Sequence, residues 1–456
     1  MLNLRLKEIA VWTRGDLHGT DAGVAGVSTD SRTLERGELF VALVGERHDG
    51  HDHVAEAAAR GAAGALVARR VDVELPQIVV NDTLHALGDL ASAVRAQRDV
   101  TVLGITGSNG KTSVKAMTAR ILARHGATHS NAGSFNNEVG LPLTLLSMPR
   151  DTRYAVLEMG AGKPGDIAYL AAIARPHVGL VNNIGPAHLE RMRSLEGIAE
   201  TKGAMYQALP PDGVAVINVD DAFAVYFTGL AGKRRILRFG IDAPADVRAA
   251  DIALDAQGSD FELVMPHAGA KVRLPLPGRH NVANALAAAT LAHAAGAGLE
   301  AIVAGLQTAE AVDGRLLRHA SLHGWTLIDD SYNANPGSAL AAVATLALQP
   351  GERWLVLGDM AELGSDGAGL HARVGRAARE QGIARLYVVG RLASNAAEAF
   401  GADARVFSSQ DDLVAALRHD LHPDVSVLVK GSHSSHMENV VAALLGGGKG
   451  GDRHAA

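Results

Sequence analysis

Residues 102–112 read VLGITGSNGKT, an apolar run followed at once by a glycine-rich turn that ends in Lys111 and Thr112. The apolar run predicts a strand over residues 102–105, and the pattern from about Thr112 predicts a helix. Backbone N–H groups of such a turn can face phosphate oxygens, Lys111 can reach the β- and γ-phosphates, and the Thr112 hydroxyl suits Mg²⁺. The stretch therefore predicts an α/β domain that binds ATP or GTP.

The turn departs from the usual phosphate-loop pattern at one position. That pattern has its first glycine five residues before Gly110, where this chain has Ile105. The alternative is a tight turn with a surface lysine, but its position between a predicted strand and a predicted helix favours phosphate binding. The residues expected to contact the nucleotide here are Gly107, Ser108, Asn109, Gly110, Lys111, Thr112 and Ser113.

Strand and helix patterns alternate on both sides of this loop, which favours mostly parallel sheets. Residues 246–276 alternate over shorter distances and predict an antiparallel edge. The length of 456 residues suggests three domains, predicted at residues 1–98, 99–314 and 315–456. Strands are predicted at residues 39–43, 65–68, 154–157, 178–181, 326–328, 354–357, 386–389 and 425–429, and helices at residues 54–60, 165–174, 194–209 and 281–295.

Composition narrows the class of protein. Hydrophobic residues make up 47% of the chain and the formal net charge is -6, which is ordinary for a globular protein and gives no support for a nucleic-acid groove. The absence of cysteine excludes disulfides, thiolate nucleophiles and Cys-based zinc sites. No apolar run reaches the roughly 18 residues of a membrane span, and the first 15 residues do not resemble a signal peptide. We therefore expect a cytosolic protein, with a flexible glycine-rich tail from residue 446.

Two polar residues follow predicted strands of the middle region. Glu158 ends one strand, where its carboxylate can face the crevice at the carboxyl edge of a parallel sheet. His188 follows another strand and can offer an imidazole nitrogen. Taken alone, Glu158 could equally be a solvated charge, and His188 could be a buried or helix-capping histidine.

Motifs along essentially the whole chain resemble those of the Mur ligase family and its folylpolyglutamate synthase relatives. They are TGSNGKT at residues 106–112, FNNEVG at 135–140, LEMG at 157–160, NNIGPAHLE at 182–190, HNVAN at 280–284 and GR at 314–315. The resemblance implies a three-domain α/β fold with a UDP-sugar-binding domain, a central ATP-binding domain and a C-terminal Rossmann-like ligase domain. It also implies ATP and Mg²⁺ as cofactors and a monomeric enzyme.

The string DDSYNANP at residues 329–336 is similar to the signature of the family members that add D-alanyl-D-alanine. The resemblance implies ATP-dependent transfer to UDP-N-acetylmuramoyl-tripeptide through an acyl phosphate, in peptidoglycan synthesis and hence in cell shape and division. One alternative is another Mur-type or folylpolyglutamate-type amino-acid ligase. A second alternative, of a different class, is a nucleotide-binding module without turnover.

The resemblance also implies roles for individual residues. The catalytic set is Lys111, Glu158, His188 and Lys202, and the metal set is Thr112, Glu158, His188 and Lys202 as a carbamate. Asn284 is expected near adenine, and Arg315 and Asp330 near phosphate and ribose. The expected substrate contacts are Ser28, Thr29, Asp30, Ser31, Arg32, Asn136, Asn137, Tyr332, Asn333, Asn335, Lys430 and Ser432.

Ordinary structural roles remain as alternatives at several of these positions. Lys202 could be a surface lysine paired with Glu200, and Asn284 could simply belong to the start of a helix. Two positions also depart from the family pattern: Ala204 replaces a usual glutamate, and His433 replaces a usual arginine.

The cluster HDGHDH at residues 48–53 contains enough histidine and aspartate for a zinc site. We expect instead that Asp52 caps the helix that begins at Val54, and that the other residues line the UDP-sugar cleft. Because nucleotide contacts come from two domains, we also expect the last domain to swing about a hinge near Gly314.

Overall fold

The computed structural model describes residues 4–45 and 48–446, whose strands form three large sheets and one small one. Most of the predicted glycine-rich tail lies outside the described residues. The α/β class is confirmed, because each large sheet is mostly parallel and is flanked by helices. None of the described helices combines the length and the apolar character needed to cross a bilayer.

The first sheet has the strand order β2-β7-β6-β5-β4, and β1 pairs separately with β3. Its strands are parallel except β2, which is an antiparallel edge. The elements of this part are β1 (Leu4–Arg5), α1 (Leu6–Thr13), β2 (Asp16–His18), β3 (Gly23–Val24), β4 (Gly26–Ser28), β5 (Glu38–Val41), α2 (Val54–Ala59), β6 (Gly64–Val67), β7 (Gln77–Val79) and α3 (Thr83–Ala96).

The helix cap predicted in this part is wrong. Asp52 does not cap α2, whose preceding residue His53 makes no side-chain cap hydrogen bond. The capping residue is Asp49, which accepts a hydrogen bond from the backbone of His51 at 2.9 Å and starts a 3₁₀ turn over Gly50–His53. The extra turn shifts the cap three residues upstream, because an N-cap must precede the first helical turn.

The middle sheet has nine strands in the order β16-β15-β14-β13-β12-β11-β8-β10-β9. It is parallel from β9 to β14, and β14, β15 and β16 pair antiparallel, which confirms the edge predicted over residues 246–276. Its elements are β8 (Thr101–Thr106), α4 (Lys111–Ala123), β9 (Thr128–Ser130), α5 (Gly140–Leu146), β10 (Tyr154–Glu158), α6 (Asp166–Ala174), β11 (Val178–Val181), α7 (Leu189–Met192), α8 (Leu195–Gln207), β12 (Val214–Asn218), α9 (Ala224–Ala231), β13 (Arg235–Gly240), β14 (Val247–Leu254), β15 (Ser259–Met265), β16 (Ala268–Leu274), α10 (Arg279–Ala294) and α11 (Leu299–Gln307).

The last sheet has the order β17-β18-β22-β19-β20-β21 and is parallel except for β17. Its elements are β17 (Leu317–Ala320), β18 (Thr326–Asp330), α12 (Pro336–Leu346), β19 (Glu352–Leu357), α13 (Gly367–Glu380), β20 (Arg385–Val389), α14 (Ser394–Phe400), β21 (Ala404–Phe407), α15 (Gln410–Asp420), β22 (Val425–Lys430) and α16 (Glu438–Leu444).

The strand order fixes where ligands can bind. In the middle sheet β8 lies between β10 and β11, so the chain leaves β8 toward one side of the sheet and later returns on the other. Such a switch in strand order opens a crevice at the carboxyl ends of the strands. The glycine-rich turn follows β8 directly, and the sheet topology therefore places it in this crevice.

Candidate active site

The turn after β8 has the shape that phosphate binding requires. Gly110 precedes α4 with φ of 78°, and a β-carbon there would collide with the side-chain oxygen of Asn284. Only glycine therefore fits at this position. The Lys111 ammonium donates to the carbonyl of Gly107 at 3.0 Å, which folds the lysine back over the turn. Residues 107–112 thus form the predicted loop, with the start of α4 facing the crevice.

The loop that follows β11 clamps this turn. Asn183 accepts a hydrogen bond from the backbone of Ser108 at 2.9 Å, and its side-chain oxygen accepts one from the backbone of Asn109 at 2.8 Å. The Asn182 side chain donates to the Asn109 carbonyl at 2.9 Å. Sequence reasoning quoted these two asparagines only as part of a motif and assigned them no role. Their contacts pre-order the turn before any ligand binds.

Glu158 ends β10 with a buried carboxylate that is only half satisfied. One oxygen, Oε1, accepts from the Asn136 side chain at 2.7 Å. The other, Oε2, is buried without a hydrogen bond and lies 3.6 Å from the ammonium of Lys115. Lys115, which sequence reasoning missed, also donates to the carbonyl of Asn131 at 2.9 Å. Its signal was its place one helical turn after Lys111, on the same face of α4.

The middle domain holds a second buried lysine, Lys202, whose charge interacts with that of Lys111. Lys202 lies on α8, and burial together with repulsion from Lys111 lowers the pKa of its amine to about 7, against attraction from Asp166. Among the described residues, the Lys202 amine has no ion pair or hydrogen bond, so the alternative pairing with Glu200 is not formed. Burial likewise lowers the pKa of the Lys111 ammonium, and the nearby Glu158 raises it.

The residues here fit a hard cation such as Mg²⁺, which prefers oxygen ligands. The Oε2 atom of Glu158 is a buried anionic oxygen that accepts no hydrogen bond, and its ion-pair partner is the Lys115 ammonium 3.6 Å away. Within residues 4–45 and 48–446, no group of three or more His, Asp or Glu residues is arranged to hold a metal ion. A cation would therefore have to complete its shell with a hydroxyl, phosphate oxygens, water or a modified side chain.

His188 has its side-chain partner in the last domain. It precedes α7 with φ of 58°, and its Nδ1 contacts the Glu362 carboxylate of the last domain. The pairing leaves the other ring nitrogen, Nε2, as the group that could serve a ligand. The structure thus places Lys111 within electrostatic reach of both Glu158 and Lys202, whereas the partner of His188 is across the domain boundary.

A cleft of about 450 Å³ separates the middle and last domains and contains most of the predicted nucleotide residues. It is lined by Asn109, Asn284, His280, Arg315, Asp330 and Lys430, among others. Lys430 and Asp330 form a buried ion pair at 2.6 Å across the ends of β22 and β18. Burial raises the pKa of Asp330 and lowers that of Lys430, and in each case the partner opposes the shift. Both residues are thus bound to each other at the cleft wall.

Several predicted substrate residues have local roles in this ligand-free arrangement. Asn335 caps α12, and Ser432 donates to the carbonyl of Asp359 at 2.7 Å. The Arg315 guanidinium lies 4.4 Å from the ring centre of Tyr332, and His433 packs against the same ring at 5.8 Å. The side chain that replaces the family's arginine thus holds an aromatic contact beside the cleft.

Asn284 lines the cleft but is already hydrogen-bonded. Its side-chain oxygen accepts from Asn182 at 3.0 Å, and its amide donates to Asn281 at 3.4 Å. An adenine contact would have to use the second amide hydrogen of Asn284 or the remaining lone pair of its side-chain oxygen. In the middle domain, Asn137 accepts from the backbone of Gly140 at 2.8 Å and so holds the start of α5.

The predicted sugar-binding cluster forms a tight turn after β4. The Ser28 hydroxyl donates to the Asp30 carbonyl at 3.0 Å, and Arg32 binds both oxygens of the Asp30 carboxylate at 2.9 and 2.8 Å. This ion pair lowers the pKa of Asp30. Ser31 donates to Glu56 at 2.7 Å, and Thr29 lies between these residues on the same turn. The five residues are therefore brought together.

Comparison with known proteins places these features in one family. Models of three parts of the family match the chain: the Mur ligase catalytic domain at residues 23–95, the Mur ligase middle domain at residues 105–292, and the Mur ligase glutamate ligase domain at residues 314–433. The chain is 44% identical over 447 residues to UDP-N-acetylmuramoyl-tripeptide--D-alanyl-D-alanine ligase of Escherichia coli K12, which covers 97% of this chain and 99% of that protein.

Solved structures agree with this similarity. Crystal structure I of MurF from Acinetobacter baumannii is 37% identical and superposes with a TM-score of 0.92, over 98% of this chain and 99% of that one. MurF ligase from Thermotoga maritima, solved in complex with ADP, is 27% identical and superposes with a TM-score of 0.82, over 92% and 96% of the two chains.

Proposed function

The chain belongs to the Mur ligase family, and we propose on that basis that it joins D-alanyl-D-alanine to UDP-N-acetylmuramoyl-tripeptide with the energy of ATP. The product would be a peptidoglycan precursor. The observation that carries the proposal is the meeting of the phosphate loop with the DSYNANP segment in one cleft, where Asn335 contacts Asn109 at 2.7 Å. That segment distinguishes the D-alanyl-D-alanine-adding members of the family.

The reaction has two steps whose bonds balance. A carboxylate oxygen of the tripeptide attacks the γ-phosphorus of ATP, the bond to the β-phosphate oxygen breaks, and ADP leaves. The amine nitrogen of D-alanyl-D-alanine then attacks the acyl carbon, loses a proton, and displaces inorganic phosphate. Both steps bring anions together, so positive charge and fixed N–H groups at the meeting point are the main requirement.

Lys111 and the start of α4 supply that charge for the β- and γ-phosphates. The pre-ordered turn means that its N–H groups need little rearrangement when phosphate arrives. Thr112, Glu158, His188 and Lys202 as a carbamate would hold Mg²⁺, which when bound neutralises phosphate charge. The fit rests on Oε2 of Glu158, a buried anionic oxygen that accepts no hydrogen bond in the ligand-free protein.

The surroundings of Lys202 support the proposal that it is carbamylated. A neutral amine adds CO₂ and releases a proton, which converts a cation into an anion with two oxygens. Burial without a partner lowers the pKa of Lys202 to about 7, so a large neutral fraction is available at neutral pH. The oxygens of the carbamate would then take the place of the carboxylate that Ala204 does not provide.

The remaining residues would serve the two substrates. Residues 1–98 would bind the UDP-sugar through the turn at Ser28–Arg32, residues 99–314 would bind ATP, and residues 315–456 would close on both. Asn284, Arg315 and Asp330 would face the nucleotide, and Asn136, Asn137, Tyr332, Asn333, Asn335, Lys430 and Ser432 would face the peptide. A monomeric, cytosolic enzyme remains a prediction.

A coupled phosphate-release assay tests the proposal. Phosphate should appear only when ATP, Mg²⁺, UDP-N-acetylmuramoyl-tripeptide and D-alanyl-D-alanine are all present. Single amino acids should substitute poorly for the dipeptide. Turnover with lysine or diaminopimelate on a UDP-linked dipeptide would favour another Mur-type ligase, and nucleotide binding without turnover would favour a binding module.

A further inference from the structure

We propose that Asn335 is a positioning residue that ties the pre-ordered phosphate loop to the last domain through Asn109, so that the loop itself stabilises the closed arrangement of the two domains. The inference rests on the proposed function and deepens it. It assigns Asn335 a different role from the peptide contact that the sequence resemblance implies.

The first observation is the state of Asn109. Its backbone N–H and carbonyl are both taken up inside the middle domain, by Asn183 at 2.8 Å and Asn182 at 2.9 Å. Its side chain points the other way, and its oxygen accepts a hydrogen bond from Asn335 at 2.7 Å. A single residue of the phosphate loop is therefore fixed to one domain by its backbone and to the other by its side chain.

The second observation is the orientation of Asn335. Its side-chain oxygen accepts from the backbone N–H of Ser338 at 2.9 Å, and its own backbone N–H donates to the Ser338 hydroxyl at 3.0 Å. This capping box uses the oxygen of the Asn335 amide and so turns the nitrogen outward, toward Asn109. The start of α12 thus orients the hydrogen bond from Asn335 to Asn109, which is called the bridge below.

The third observation is the close approach of the two domains at this point. A β-carbon on Gly337 would lie 3.2 Å from the side-chain nitrogen of Asn109, so a larger residue would crowd the bridge. Among the described residues, other side-chain links between these domains lie elsewhere: His188 contacts Glu362, and the carbonyl of Ala256 accepts from Arg318 at 2.8 Å and from Gln349 at 3.2 Å. Asn335 is the one that bonds to the phosphate loop itself.

The chemistry of the bridge suits its location. Two neutral amides join the domains where phosphate anions must bind. An aspartate in the bridge would repel the phosphates, and a lysine would compete with Lys111 for them. An amide pair adds direction without adding charge, because a hydrogen bond weakens steeply when its angle and distance depart from the optimum.

Asn335→Ser separates the bridge from the cap. Serine is as good an N-cap as asparagine, but its hydroxyl is too short to reach Asn109. Asn109→Ala removes the acceptor from the other side, and the two substitutions together complete a double-mutant cycle. Ser338→Ala is the matched control, because it weakens the capping box and leaves the bridge in place.

Domain closure can be followed by energy transfer between dyes on two engineered cysteines. The chain has no cysteine of its own, so Val225→Cys and Val406→Cys would be labelled without background. Both valines are exposed, at 85% and 57%. Val225 lies on α9 of the middle domain, and Val406 lies on β21, at the sheet edge opposite β17.

With ADP and Mg²⁺ as the probe, Asn335→Ser should lower the population of the closed state by about twofold to tenfold, the range of one hydrogen bond. It should weaken ADP binding by a similar factor and leave the melting temperature unchanged. Ser338→Ala should lower the melting temperature and leave closure and ADP affinity unchanged. The double variant should be no worse than the more impaired single variant.

Unchanged closure and ADP affinity in Asn335→Ser would overturn the inference, as would single effects that multiply in the double variant. Failure of the proposed function is a different result. In that case the wild-type protein releases no phosphate from the full substrate set, whereas the ADP and energy-transfer measurements still decide the role of Asn335.

Discussion

Two buried lysines, Lys202 on α8 and Lys430 at the end of β22, are each only 2% exposed but lie in opposite surroundings. Lys430 forms an ion pair with Asp330 at 2.6 Å and donates to the Asn333 carbonyl at 2.9 Å. Lys202 has no such partner among the described residues, and burial lowers the pKa of its amine to about 7. Burial lowers the pKa of both amines, but the bonded carboxylate of Asp330 opposes the shift in Lys430, whereas Lys202 has no bonded partner.

The difference distinguishes a lysine with a structural role from a lysine with a chemical role. A buried ammonium that has a carboxylate partner is a stable part of the fold, although replacing the whole pair often costs little. A buried lysine without a partner carries a desolvation penalty that a packing role does not explain. Such groups are frequent in active sites, because a neutral amine at neutral pH is a reactive group. Four predictions test this contrast, in order of expected effect.

Lys202→Ala should lower turnover by about 10³-fold, the upper range for one electrostatic contact in an active site. Added acetate or formate should restore part of the activity by supplying the missing anion. The exposed lysine variant Lys233→Ala is the control and should keep full activity. Phosphate release measures all three, and a fully active Lys202→Ala enzyme would refute the carbamate.

Lys430→Met should lower the free energy of unfolding by about 3 kcal/mol, because it leaves Asp330 buried without its partner. Adding Asp330→Asn should recover most of that loss, since the pair is then neutral on both sides. In a Trp12→Phe background, urea unfolding followed by the fluorescence of Trp325 and Trp354 reports on this domain. Equal stability of Lys430→Met and the wild type would show that the pair is not structural.

Lys111→Ala should lower turnover by about 10²-fold by removing a cation from the β- and γ-phosphates. Its melting temperature should stay near that of the wild type, because Lys111 is half-buried and its single hydrogen bond goes to a carbonyl of its own loop. Turnover and circular dichroism melting together give the answer. Near-normal turnover would remove Lys111 from the catalytic set.

The pH dependence of stability should report Lys202 directly. Its pKa is about 7 in the folded protein, below the ordinary value of 10.5, so between these values the unfolded chain binds the extra proton. Raising the pH through this window therefore favours the folded state, by at most about 1.4 kcal/mol per pH unit from this group. Below pH 7 both states are protonated and the contribution is constant.

Urea unfolding from pH 7.5 to 9.5, in CO₂-free buffer with a chelator, measures this slope. In Lys202→Met the slope should be smaller than in the wild type, because the group that titrates is gone. Parallel curves for the two proteins would show that Lys202 is charged in the folded state. This result would also weaken the case for the carbamate.

Much of the fold could be predicted from local patterns. The strand over Val178–Val181 is at its predicted position, and β10 and β19 differ from prediction by one or two residues. The edge strands Thr128–Ser130 and Ala404–Phe407 were missed, since they are short and only partly buried and so lack the apolar run that marks Val178–Val181. The cap at Asp49 was missed because a 3₁₀ turn preceded the helix.

The residues of the site also divide into those that sequence patterns predict and those that they do not. The glycines of the phosphate loop can be recognised from sequence, because a turn that needs a positive φ excludes most other residues, as at Gly110. The partners of Glu158 cannot be recognised from sequence, because Asn136 and Lys115 reach it from an adjacent loop and from α4. Sequence reasoning placed His188 with the metal ligands and could not foresee its contact with Glu362, which is 174 residues away.

The sequence by itself determined the α/β class, the phosphate loop and the family resemblance, because each depends on residues that are neighbours along the chain. Only the tertiary structure decided which buried charges are paired and which are alone. Lys430 and Asp330 are 100 residues apart in sequence and meet only because β18 and β22 are neighbours in a sheet. Solvation and partnership are properties of packing, and no local pattern encodes them.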